Sequence, residues 1–141
     1  HLGGAELQRL DECLAQADEE QMHSLVCLHH QPVPVGCEWL DEQMVSDARS
    51  FFEVLGRYPR VRAVLWGHVH QELDEWRGDL QLLCSPSTCV QFLPRQVDFA
   101  VDTQAPGYRW LELDPDGSIR TGVSRAMSQV FTVDRESNGY L

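Results

Sequence analysis

Leucines recur at Leu7, Leu10 and Leu14 through AELQRLDECLAQA, with polar residues between them. Positions three and four apart share one helical face, so this stretch predicts an amphipathic α-helix. SLVCL, from Ser24 to Leu28, is a short apolar run and predicts a buried strand, with Cys27 packing as a small hydrophobe. HHQPVPVG comes next, where two prolines and a glycine prevent regular structure and demand a loop. DARSFFEVLGRYP predicts a second helix, with Phe51, Phe52 and Leu55 on its inner side and Pro59 beyond its end. VRAVLW predicts another buried strand, stopped by Gly67.

After Leu73 the pattern changes. EWRGDLQLLC predicts a hairpin turning at Gly78, and YRWLELDPDGSIRTGV another turning between Asp114 and Gly117. The segment between them, PSTCVQFLPRQVDFAVDTQAPG, is proline-rich and irregular, and residues 126–141 form a polar tail expected to be extended or mobile. The order helix, strand, loop, helix, strand, then hairpins predicts an α/β architecture of the α+β sandwich type. Repeats and low-complexity blocks are absent, so the chain reads as one domain or one part of a domain.

Composition narrows the function classes. A length of 141 residues and 43% hydrophobic content can support a packed core. The formal charge of −11 opposes general nucleic-acid binding, which needs a cationic face. No apolar run reaches the ~20 residues of a membrane helix, so no membrane partner is expected. HLGGAELQRL has neither the basic nor the apolar part of a secretory signal, and the chain starts without methionine, as a fragment or processed product would. Five cysteines, odd in number and without a Cys-x-x-Cys pair, predict reduced thiols and a cytoplasmic location.

The chemistry gathers at histidines. His29 and His30 follow the first predicted strand, and His68 and His70 follow the second, in WGHVH. If the two strands are parallel neighbours joined by the intervening helix, both loops reach one edge of the sheet, where α/β proteins place ligands. Neutral imidazole is a common ligand for Zn, Mn and Fe, so converging rings predict a metal site. In an extended His-x-His the rings project to opposite sides, which suits two ions, and Gly67 offers room for a tight turn. His1 and His23 stand alone and read as polar surface. A two-metal site also needs carboxylates, yet no Asp-x-His or Gly-Asn-His occurs, and the one Gly-Asp, Gly78-Asp79, falls in a predicted turn. The site as written is incomplete.

LHHQPVPVG followed by LWGHVHQEL resembles the last two metal motifs of the calcineurin-like metallophosphoesterases. CSPSTCVQFLP, DFAVDTQAPGYRWLELDPDG and ESNGYL narrow the resemblance to that family's bacterial cyclic-AMP phosphodiesterases, and it covers essentially the whole chain. The resemblance implies a two-sheet sandwich of which residues 1–141 are the C-terminal half. It implies hydrolysis of 3′,5′-cyclic AMP to 5′-AMP at two metal ions, Fe or Mn, with Zn as the other choice. By the same resemblance His29 and His68 ligate one ion and His70 the other. His30 either lies near the substrate phosphate or supports His29. Gln31 stands where relatives often have proline, which bears on the loop's shape. The remaining ligand motifs belong to an N-terminal half upstream of His1. That half is therefore the expected partner, and the chain by itself is expected to be inactive. Two other readings stay open: a non-catalytic metal-binding or dimerisation module, and a phosphodiesterase for another nucleotide. Strand edges and apolar faces left bare by the missing half predict a homo-oligomer.

Overall fold

The computed structural model describes residues 1–127 and Thr132, so most of the expected polar tail, 126–141, lies outside the described residues. Helix α1 spans Gly4–Glu19, β1 Ser24–Cys27, α2 Glu38–Asp41, α3 Ala48–Leu55 and β2 Val61–Trp66. Strands β3 (Leu73–Arg77), β4 (Leu80–Cys84), β5 (Gly107–Leu113) and β6 (Ile119–Arg125) follow. The expected order of elements is present. One addition is α2, a single turn just after the predicted loop, in residues for which the sequence predicted no element.

Four strands form one sheet in the order β1-β2-β4-β3. β1 and β4 both run parallel to β2, while β3 pairs antiparallel with β4. The crossover through α2 and α3 therefore returns the chain beside β1 in the same direction. It brings the carboxyl ends of β1 and β2, and the histidines behind them, to one edge. Pairing continues past the strand ends, because Leu28 N–H donates to the Leu65 carbonyl at 2.9 Å and Gly67 N–H to the His29 carbonyl at 3.3 Å. Gly78, at φ 63°, takes the left-handed conformation that the β3–β4 turn needs and that most side chains resist.

The core lies between this sheet and the helices, around Trp66, Phe51, Val64, Leu40 and Val69, all essentially without exposed surface. Leu14 of α1 is buried, with Leu7 and Leu10 packed against the same cluster, as their spacing predicts. Two expectations need correction. Cys27 is exposed and β1 is only partly buried, because β1 is an edge strand with a single neighbour and an apolar run does not reveal how many faces are covered. On α3 the buried set is Ala48, Phe51, Val54 and Leu55. Phe52 is half-buried instead, and the Arg77 guanidinium lies 4.1 Å over its ring, an arrangement attractive to a cation.

β5 and β6 pair only with each other, as a separate two-stranded sheet. Arg109 of β5 fastens this hairpin to the larger sheet. Its Nε donates to the Cys84 carbonyl at 3.0 Å, one terminal nitrogen to Leu73 O at 2.9 Å, and the other to Thr121 Oγ1 at 3.1 Å. The Arg109 side chain is 2% exposed. One buried fork thus ties together the end of β4, the start of β3 and strand β6.

Candidate metal centre

Three of the four singled-out histidines converge. One potential donor atom from each of His29, His30 and His68 lies within 4.8 Å of the others, the one such group of metal-capable side chains among the described residues. The rings of His30 and His68 are 3.9 Å apart between centroids, and His29 stands 5.0 Å from His30 and 5.2 Å from His68. His70 is not in this group. Its ring stacks on Phe92 at 4.2 Å, nearly parallel.

The backbone that separates His68 from His70 is not extended. Both residues have φ 50°, in the left-handed region, and Val69 N–H folds back on the Gly67 carbonyl to close a three-residue turn over His68. The left-handed conformations fall on the histidines, while Gly67 itself is not in that region. A non-glycine residue held there costs about 1–3 kcal/mol, and such strain collects at functional sites where the surroundings enforce it.

Hydrogen bonding sets which ring nitrogen is free. A backbone carbonyl only accepts, so His70 Nδ1, 2.9 Å from Val90 O, carries the proton and leaves the Nε2 lone pair open. His30 Nδ1 donates likewise to Gln43 O at 3.0 Å. His68 Nε2 is buried with no hydrogen-bond partner. Burial, followed by the neighbouring His30, His29 and His70, pushes its pKa down to about 4. Burial also lowers that of His70. Both rings are therefore neutral near pH 7, the form that binds a metal. An orphaned buried nitrogen beside two other imidazoles is costly for a protein with nothing to bind there. These residues fit a metal ion. Among the described residues no Asp or Glu joins the group, in keeping with a partial ligand set.

Gln31 has a part its sequence position did not reveal. It is fully buried, its Nε2 donates to Leu40 O at 2.6 Å, and its own carbonyl accepts from Val45 N–H. It thereby holds the loop carrying His29 and His30 against α2. Beside these two histidines a groove of about 280 Å³ opens, walled by Leu2, Leu28, Met44 and Val45. His1 contributes to its rim, whereas His23 packs near Gly117, away from the cluster. The five cysteines are unpaired, with Cys37 and Cys84 buried. No helix of the described residues is long and apolar enough to cross a membrane.

No protein-family model matches the sequence. Among curated proteins, the 3′,5′-cyclic adenosine monophosphate phosphodiesterase of Pseudomonas aeruginosa is 52% identical over 116 residues, which is 82% of this chain and 43% of that protein. The protein of the same name from Escherichia coli K12 is 46% identical over 136 residues, 96% of this chain and 48% of that one. A 3′,5′-cyclic-nucleotide phosphodiesterase of Nostoc is 40% identical over 102 residues. The chain thus spans less than half the length of the curated relatives it matches. Among solved structures, a dimetal phosphatase from Danio rerio superposes with a TM-score of 0.56 at 19% identity, over 77% of this chain and 34% of that one. The fold is shared.

Proposed function

Because this chain is homologous to the C-terminal part of the bacterial 3′,5′-cyclic adenosine monophosphate phosphodiesterases, we propose that it supplies part of a two-metal site for hydrolysing 3′,5′-cyclic AMP to 5′-AMP. The observation that carries this reading is the convergence of His29, His30 and His68 in a chain 40–52% identical to enzymes of that name. In this reading His29 and His68 hold one ion, and His70 serves the other. His30 sits with the first pair. Its Nδ1–H is committed to Gln43 O, which leaves Nε2 facing the cluster as a further donor to that ion.

Ions held by these residues supply Lewis-acid chemistry, neutralising phosphoryl oxygens and activating the attacking water. The chain's own contribution is to hold neutral imidazoles in fixed tautomers and directions. The carboxylates and the proton donor to the leaving 3′-oxygen come from an N-terminal half of the same protein. Iron and manganese suit mixed nitrogen and oxygen ligation, and zinc is the other choice. Unpaired thiols fit the reducing cytoplasm.

The test is hydrolysis with added Mn²⁺, measured for the chain alone, for the chain mixed with a separately expressed upstream half, and for the full-length protein. Activity toward cyclic AMP in the last two and none in the first is the expected result. Equal activity from the chain alone would overturn the split site. Hydrolysis of other phosphodiesters but not cyclic AMP would overturn the substrate.

The isolated chain is also expected to self-associate. β1 and β3 are edge strands, and Trp76, Tyr108, Trp110 and Leu113 are exposed on β3 and β5. Bare edges and aromatic faces are a route to pairing between copies. Sedimentation should show dimers or larger species for the 141-residue chain, shifting to a one-to-one complex when the upstream half is added. A monomer across a wide concentration range would remove this expectation.

A further inference from the structure

The stretch STCVQF is more distinctive than the histidine motifs, yet it contains no histidine and no carboxylate. Its place in the fold explains it. Val90 gives its carbonyl to His70 Nδ1, and Phe92 covers a face of the His70 ring. Between them Gln91, 2% exposed, bonds its side chain back into its own loop. Gln91 Nε2 donates to Ser87 O at 2.8 Å and to Cys89 O at 3.1 Å, and its Oε1 accepts from Ser87 N–H at 3.1 Å. Ser87 Oγ accepts from Cys89 N–H at 3.0 Å, closing the same turn a second time. The backbone on either side is anchored by the bridge between Phe92 and Val101 and by Asp102 N–H donating to Gln91 O.

This segment belongs to no helix or ladder, so nothing regular holds the Val90 carbonyl where His70 needs it. A loop of this kind keeps one conformation through a few specific bonds: backbone ones beside Phe92 fix its far end, and the Gln91 side chain fixes the 87–91 turn. The Gln91 amide uses both its donors and its acceptor on that one turn, and glutamate, nearly identical in shape, could not donate to either carbonyl. We propose that Gln91 is a positioning residue for His70. It locks the 87–91 turn so that the Val90 carbonyl fixes the Nδ1–H tautomer and Phe92 fixes the ring plane, leaving Nε2 aimed at the second ion. This rests on the reading of His70 as a metal ligand.

The test compares Gln91→Leu and Gln91→Glu with the wild type in the full-length protein. Partners that orient a ligating histidine are worth 10–100-fold in metal affinity. Both variants should therefore bind one of the two ions about 10–100-fold more weakly while the ion at His29 and His68 keeps its affinity, which also certifies the fold. In metal-free protein with labelled histidines, NMR should show His70 passing from one tautomer to a mixture. Unchanged affinity for both ions, or an unchanged His70 tautomer, overturns the proposal. An equal loss at both ions also overturns it, since Gln91 would then serve the fold as a whole. Failure of the wild type to take up a second ion would instead sink the two-metal reading, and the tautomer would still decide whether Gln91 holds His70.

Discussion

Replacing His68 by alanine in the full-length protein is expected to lower kcat/KM for cyclic AMP with Mn²⁺ by about 10³-fold or more, because a bound ion is worth several kcal/mol of transition-state stabilisation. His68 stands at the crossing of three observations: it shares the donor cluster with His29 and His30, its buried Nε2 has no hydrogen-bond partner, and it sits at φ 50°. The last makes a second outcome specific to this residue. His68→Gly removes the strained conformation and the orphaned nitrogen together, so metal-free protein should become more stable by about 1 kcal/mol even as activity is lost. Stability and function then move in opposite directions, as expected where a fold holds a ligand in a conformation it would otherwise avoid. His23→Ala, away from the cluster, serves as the control and should leave kcat/KM unchanged. Activity within a few-fold of wild type in His68→Ala would remove His68 from the metal site, and lower stability in His68→Gly would remove the strain argument.

Arg109→Ala is expected to cost about 3–5 kcal/mol of stability, which in thermal unfolding is a fall in Tm of roughly 10 °C. The loss exceeds that of an ordinary surface arginine because this side chain is buried and makes charge-assisted bonds to Cys84 O, Leu73 O and Thr121 Oγ1. Truncation removes three charge-assisted bonds from a buried position and with them the central tie between the β5–β6 hairpin and the larger sheet. Lysine does not repair it, since one ammonium cannot span three acceptors set out for a planar fork. The nearby Asp74 carboxylate, 3.8 Å away and 41% exposed, is a minor partner, so Asp74→Asn should cost far less. An Arg109→Lys variant with wild-type Tm would show that charge alone suffices, against the geometric argument.

Much of this was legible in the residues. Leucines at helical spacing located α1, the apolar run VRAVLW located β2 to the residue, and Gly78 and Asp114–Gly117 located both hairpin turns, because these features are local and backbone geometry depends on local sterics. Two histidine loops after two strands also announced a shared edge, since a helical crossover between parallel strands leaves little choice. Burial was less legible. Cys27 lies outside although its strand reads as apolar, and Phe52 is only half inside, because coverage depends on neighbours that a single segment does not name.

What only the tertiary structure decided is the division of labour around the histidines. The sequence by itself determined that His29, His30, His68 and His70 follow predicted strands and that no Asp-x-His or Gly-Asn-His motif accompanies them. It did not determine that His30 joins His29 and His68, that His68 and His70 part by left-handed turns instead of strand alternation, or that Val90 and Phe92 receive His70. Nor did it mark Gln31, Gln91 or Arg109, whose polar side chains are buried by contacts with backbone carbonyls. A carbonyl belongs to every residue, so a bond to one leaves no signature in the order of side chains. Only the folded path of the chain determines which carbonyl lies within reach.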